Sequence, residues 1–134
     1  EKIITLRLSQ DRIDGLQDHY AGGVAEARDI ATALKDAPVD ALHWGSFGWD
    51  DNRDPNSDEI IPAVMRAASG KPMIVNGGVH DAAAALRVLE SGAGDMVSVG
   101  RPLFANPDWA NAVRAGKPPA PVEFERKWVI TPAT

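Results

Sequence analysis

Glycines follow two short apolar segments of the sequence, and an arginine follows the second of them. The first segment precedes Gly77 and Gly78, and the second precedes Gly100 and Arg101. A glycine after a strand lets the backbone approach a ligand closely, and a helix that begins there offers free N–H groups and a positive dipole end. An arginine adds two parallel donors for a phosphate. The pattern therefore predicts an anion site built from two neighbouring turns, as in parallel β/α barrels whose last two strands bind phosphate.

A second arginine lies inside an otherwise apolar, β-branched segment at residues 2–9, which is typical of a strand. Arg7 is costly in such a strand unless it is paired, reaches a ligand or faces solvent. The spacing alone leaves two alternatives at equal weight, an edge strand with Arg7 in solvent and a strand whose arginine contacts a ligand.

Two aromatic residues, Phe47 and Trp49, interrupt a polar loop at residues 45–55. Exposed aromatic rings in a polar loop usually cover something. One interpretation is a lid over a ligand or substrate. The other, equally weighted, is that the rings dock on the body of the protein or on another chain.

Other residues that tempt a catalytic assignment have simpler interpretations. His19 and Tyr20 are adjacent in a polar, glycine-marked loop and are typical of surface residues, and His43 fits a core or rim histidine in a strand. We predict no metal site, because there is no cysteine and the aspartates near residue 50 lack the spacing, glycine and glutamate of a calcium loop.

Alternating strand and helix patterns position these residues. The apolar segments predict strands at residues 2–9, 39–44, 72–75 and 95–99, and helical spacing predicts helices at 23–35, 57–68, 82–90 and 106–115. Capping residues support the helix limits: Ser57, Asp81 and Asn106 at N-termini, and Gly92 and Gly116 at C-termini. In the third helix we expect Leu86 and Leu89 on the buried side.

Four strands and four helices in strict alternation predict an α/β protein with a parallel sheet. A complete (β/α)8 TIM barrel takes about 250 residues, whereas this chain has 134. We therefore predict a half-barrel at residues 1–116 and a proline-rich C-terminal extension at 117–134. A half-barrel exposes an apolar sheet face and two strand edges, so we expect association with a chain that supplies the other half or with a second copy.

Composition excludes some classes of partner. The net charge of −5 argues against nucleic-acid binding, which normally requires a basic surface. No apolar run is long enough to span a membrane and no signal peptide opens the chain. The expectation is a soluble, cytoplasmic domain that acts on a small molecule.

The residues at 75–79 and the run DMVSVGRPLFANP at 95–107, followed by Asp108 and Trp109, resemble the end of the barrel in the old yellow enzyme and NADH:flavin oxidoreductase family. The run Arg7-Leu8-Ser9 is similar to a strand end of the same family. The resemblance covers barrel units five to eight, up to about Gly116.

The resemblance implies an FMN-dependent ene-reductase that takes electrons from NAD(P)H and reduces an activated alkene. Implied cofactor-binding residues are Arg7 at the pyrimidine edge of the flavin, and Gly77, Gly78, Gly100 and Arg101 at its phosphate. The family's substrate-binding histidine–asparagine or histidine–histidine pair and its proton-donating tyrosine belong to the other half, so no catalytic residue is assigned and this half alone is not expected to be active.

Two alternatives stay open. The chain is a non-catalytic structural or binding subunit that keeps the half-barrel and completes a partner, or it belongs to a phosphate-binding barrel enzyme without flavin. Arg7 and the Asn-Pro-Asp-Trp helix start at 106–109 disfavour the last.

Overall fold

A computed structural model of the chain describes residues 2–10, 20–51 and 54–120. The elements it contains are, in chain order, β1 Thr5–Leu8, α1 Gly23–Ala33, β2 Ala41–Gly45, α2 Ile61–Ser69, β3 Met73–Asn76, α3 Ala82–Glu90, β4 Met96–Ser98, α4 Arg101–Ala105 and α5 Trp109–Arg114. The four strands form one parallel sheet in the order β1-β2-β3-β4. A consecutive order with helical crossovers is that of a β/α barrel rather than a doubly wound sheet, and the predicted half-barrel is confirmed.

Strand alternation gives the sheet two different faces. Side chains on one face pack against the helices in two rows, because residues paired in a parallel ladder point the same way. One row is Leu6, Leu42 and Met73, and the next is Leu8, Trp44, Val75 and Val97. These residues belong to one apolar core with α1, α2 and α3, whose fully buried members include Ala27, Ala31 and Met65.

The other face of the sheet is open and only partly apolar, unlike the apolar face expected from the sequence. Its first row is Arg7, His43, Ile74 and Met96, and its second is Gly45, Asn76 and Ser98. Met96 is 48% exposed. β1 and β4 are the two edges of this sheet.

Local signals explain most helix limits. The carboxylate of Asp81 accepts a hydrogen bond from the N–H of Ala84 at 2.7 Å and caps α3, as predicted. Gly92 and Gly116 follow α3 and α5 with φ of +74° and +70°, a conformation that glycine adopts without strain. Ser57 does not cap α2, which begins four residues later because Pro62 occupies its first turn.

Two predictions for the C-terminal part of the chain were wrong, one on the buried face of α3 and one on the helix after β4. Leu86 and Leu89 are 52% and 46% exposed, whereas Ala84 and Val88 face the core. Almost every position of α3 is apolar, so periodicity did not select a face, and the small residue lies against the sheet. The turn after β4 forms the separate short helix α4. The predicted N-cap Asn106 follows the end of α4, and Asp108 is the residue before α5.

The end of the sheet opposite the glycine turns carries an ion pair. Arg66 of α2 donates two hydrogen bonds to Asp95, at 2.8 and 2.6 Å. The same carboxylate accepts the N–H of Met73 at 2.9 Å. This contact joins a helix to the starts of two strands. The predicted extension from residue 117 falls, beyond residue 120, outside the described part of the chain, as does His19.

Candidate functional site

A pocket of about 380 Å³ lies at the C-terminal ends of the strands. This volume is in the range of small-molecule sites, about 300–1,000 Å³. Its floor is the second row of the open face, Gly45, Asn76 and Ser98. All five residues predicted to bind a cofactor line it: Arg7, Gly77, Gly78, Gly100 and Arg101.

Glycine at position 77 is required by two features of the structure. Its φ is +111°, which L-residues rarely adopt, and a Cβ atom there would overlap the carbonyl oxygen of Ser46. The carbonyl carbon of the same residue would lie 2.7 Å away. Gly78 follows with φ of +69°. The turn after β3 therefore packs directly against the backbone of the loop after β2, and neither residue has a side chain to obstruct the pocket.

The two glycine turns are held side by side. Asn76, the last residue of β3, donates from its side-chain amide to the carbonyl oxygen of Ser98 at 2.8 Å. This bond crosses from one strand end to the next, immediately before the turns at Gly77 and Gly100. Asn76 could not be identified from the sequence, because its contact depends on the pairing of β3 with β4.

Arg7 extends from the edge strand β1 across the end of β2. It pairs with His43 in the ladder, and its guanidinium lies over Gly45, two residues further along β2. Arg7 is exposed and forms no ion pair with a described residue. β1 is an edge strand of the sheet, and its exposed arginine lines the pocket; contact of Arg7 with a ligand stays a prediction.

The imidazole of His43 lies beside Arg7 on the open face. Burial, and then the charge of Arg7, lower the pKa of His43, which keeps the ring neutral near pH 7. Its Nε2 atom is buried and has no hydrogen-bond partner among the described residues. A second histidine, His80, lines the pocket after the Gly-Gly turn. Neither was assigned to a site from the sequence.

The charge of the pocket is opposite to that of the whole chain. The chain carries a net charge of −5, whereas the described pocket lining contains Arg7 and Arg101 and no aspartate or glutamate. Arg101 is exposed and is the first residue of α4, directly after Gly100. A Cβ atom built on Gly100 would meet nothing within 4 Å, so the backbone there is open. The arrangement suits an anionic ligand that enters over open backbone.

The two loop aromatics have different positions. Phe47 is 65% exposed and lines the pocket. Trp49 is 6% exposed and belongs to the core cluster, near Gly78. Phe47 thus keeps the position expected of a lid residue, whereas Trp49 matches the alternative in which a ring docks on the body of the protein.

The remaining candidates lie elsewhere. The ring of Tyr20 packs at 6.3 Å from that of Trp44, and burial, followed by the charge of Glu26, raises the pKa of its phenol. Within the described ranges no group of three or more histidine, aspartate or glutamate side chains is arranged to hold a metal ion. No helix in the same ranges has the length and apolar character needed to cross a membrane.

Comparisons with known proteins agree with this geometry. The model of the NADH:flavin oxidoreductase / NADH oxidase family matches residues 1–119. The structure of morphinone reductase in complex with tetrahydroNAD is similar to this chain at a TM-score of 0.68 and 27% identity, over 92% of this chain and 31% of that one. A single-residue variant of morphinone reductase in the same complex gives 0.64 and 29%, over 84% and 29%. The chain thus spans about 30% of the length of these relatives.

Proposed function

This chain belongs to the NADH:flavin oxidoreductase / NADH oxidase family, and we propose that it supplies the FMN-binding half of a flavin-dependent oxidoreductase. The observation that carries the proposal is the convergence of Arg7, Gly77, Gly78, Gly100 and Arg101 on one pocket free of described carboxylates. Arg7 and Arg101 are 94 positions apart in the chain and belong to opposite edges of the sheet, yet both line this pocket.

The spacing of the charges favours an extended ligand over a bare phosphate. Arg7 lies over Gly45 on β2, and Arg101 follows β4. Two strand spacings separate these positions, which is roughly 10 Å. A mononucleotide such as FMN, with an anionic phosphate at one end and a polar ring edge at the other, has the extended shape to contact both positions.

The residues have distinct roles in this proposal. The turns at Gly77, Gly78 and Gly100 present backbone to the phosphate, and Arg101 neutralises its charge. Arg7 places a fixed cation where negative charge gathers on the reduced flavin. The bound flavin supplies the hydride chemistry, and the protein holds and orients it.

The reductant and substrate follow from the family as part of the proposal. We expect NADH or NADPH to reduce the flavin, consistent with the tetrahydroNAD bound in the related morphinone reductase structure. The substrate class is an alkene activated by a neighbouring electron-withdrawing group. Phe47, exposed at the pocket mouth, is positioned to cover the ring or the substrate.

The half-barrel also needs a complement. Both β1 and β4 are edges of this sheet, and its open face ends in the side chains of Arg7 and Met96. We assign this half to barrel units five to eight, so that four further β/α units, or a second copy, close the barrel and cover that face. If the complement is a different chain with four further units, it brings the groups that bind the activating group of the substrate and donate its proton.

FMN titration of the assembled barrel tests the proposal. We expect FMN to bind with quenching of its fluorescence, and Arg101→Ala to weaken binding by about 1.5–3 kcal/mol, the value of a charged hydrogen bond. Arg87→Ala, on the exposed side of α3, is the matched control and should leave the affinity unchanged.

Two results contradict the proposal. Failure of the wild-type protein to take up FMN removes the cofactor and favours the second function considered, a half-barrel that completes a partner without redox chemistry. Equal affinity of the Arg101→Ala and Arg87→Ala variants removes Arg101 from the site.

A further inference from the structure

Gly45 is a buried glycine, and an arginine side chain lies where a side chain at position 45 would be. A Cβ atom built on it would lie 2.5 Å from both Nε and Nη2 of Arg7, and 2.9 Å from Cζ. Carbon atoms do not approach nitrogen this closely without contact strain. The guanidinium of Arg7 therefore uses the space that any other residue at position 45 would fill.

The backbone does not explain why a glycine occurs here. Gly77 and Gly78 have φ of +111° and +69°, which favour glycine whatever surrounds them. Gly45 is the last residue of a regular parallel strand and is not among the glycines with positive φ. Alanine could adopt the same backbone conformation, so the contact with Arg7 is the feature that requires glycine.

The register of the sheet explains how the two residues meet. Arg7 pairs with His43, and Gly45 is the next residue of β2 on the same face of the sheet. The arginine side chain runs past the imidazole toward the C-terminal end of the strands and comes to lie on Gly45. Gly45 also pairs with Asn76, and Arg7, Gly45 and Asn76 all line the pocket.

We propose that Gly45 is a positioning residue for the flavin site: by lacking a side chain, it holds the Arg7 guanidinium low over the end of β2, where that cation contacts the bound ring edge. This inference rests on the function proposed above. The new element is that Gly45, on the neighbouring strand β2, places the cation although Gly45 itself offers the ligand no functional group.

Substitution of Gly45 should separate function from folding. The atoms that a new Cβ meets are the far end of a flexible side chain, so the arginine moves away rather than the strand. We expect Gly45→Ala to keep the unfolding temperature of the apoprotein, to weaken FMN binding by about tenfold, the low end for a lost charged hydrogen bond, and to make the flavin reduction potential more negative.

The test is a double-mutant cycle in the assembled barrel with Gly45→Ala, Arg7→Ala and the double variant. If Gly45 acts through Arg7, then Gly45→Ala has no further effect on FMN affinity or potential once Arg7 is alanine. Gly48→Ala is the matched control on the following loop: its Cβ would lie 3.5 Å from the Cβ of Asp51, an ordinary contact. This control should match the wild type.

Each outcome has one meaning. Wild-type affinity and potential in Gly45→Ala, or effects of the two single substitutions that add in the double variant, overturn the inference while the proposed FMN site stands. A wild-type barrel that binds no FMN overturns the proposed function, and the role of Gly45 with it.

Discussion

Replacing Gly77 with alanine tests whether the pocket is built on close backbone packing between two loops. Two separate costs apply. The φ of +111° is strained for any L-residue, which costs about 1–3 kcal/mol. The new Cβ also overlaps the carbonyl oxygen of Ser46, and overpacking that forces a backbone shift costs about 1–3 kcal/mol more. Together these predict a loss of about 2–6 kcal/mol in the free energy of unfolding.

A matched variant isolates the second cost. Gly92 also has a positive φ, +74°, but a Cβ atom there meets nothing within 4 Å. Gly92→Ala should therefore lose only the left-handed penalty, about 1–2 kcal/mol. Urea unfolding measured by circular dichroism gives both values, provided that the dependence on denaturant is the same for the two variants.

Ligand binding provides the second readout. Gly77→Ala should displace the Ser46 peptide and with it the neighbouring Phe47, so FMN affinity should fall as well as stability. Gly92→Ala lies after α3, outside the pocket lining, and should bind FMN like the wild type. The reasoning is refuted if Gly77→Ala is no less stable than Gly92→Ala, or if it binds FMN with unchanged affinity.

Three further predictions concern charge and the pocket mouth. Asp95→Asn should lower the free energy of unfolding by about 1–2 kcal/mol, because it removes a partly exposed ion pair with two hydrogen bonds. In the wild type, hydrogen bonding from Arg66 lowers the pKa of Asp95. This contribution to stability should therefore be present above about pH 4 and be lost as pH falls through the lower folded-state pKa. Burial and the charge of Arg7 lower the pKa of His43, so the unfolded state takes up the proton first and stability should fall as pH drops below about 6.5; Arg7→Gln should raise that pKa in an NMR titration, and an unchanged value would remove the arginine as a cause. Phe47→Ala should change unfolding by no more than about 0.5 kcal/mol, because the ring is exposed, yet alter the KM for substrate of the assembled enzyme, and equal KM values would exclude a lid role.

The convergence of residues on the pocket was predictable from the sequence where it depends on strand ends. Gly77, Gly78, Gly100 and Arg101 follow strands directly, and the carboxyl ends of parallel strands meet at one edge of a sheet, so chain order alone brings them together. For Arg7 the sequence left two alternatives, since the environment of this side chain depends on which strand it lies beside.

Residues whose roles arise from register were missed. Gly45 matters because Arg7 pairs two positions earlier on the same face, and Asn76 because its amide reaches the carbonyl of Ser98 on the next strand. No periodicity in the sequence reports such cross-strand contacts. The prediction that Leu86 is buried was wrong for a different reason. In an almost uniformly apolar helix the larger side chain was expected to be buried, whereas the smaller Ala84 is the residue that packs in the core.

The two faces of the same four strands divide stability from function. On the helix side, residues such as Trp44 and Val75 are fully buried, so the helix-side packing does not depend on the open face. The floor of the pocket is instead formed by small or polar residues, including Asn76 and Ser98, which add little apolar burial. Substitutions at the floor should consequently alter ligand binding more than folding, and those in the helix-side rows should do the reverse. Gly77 is the exception, because a Cβ atom at this one position would disturb both the pocket and the packing of the two loops.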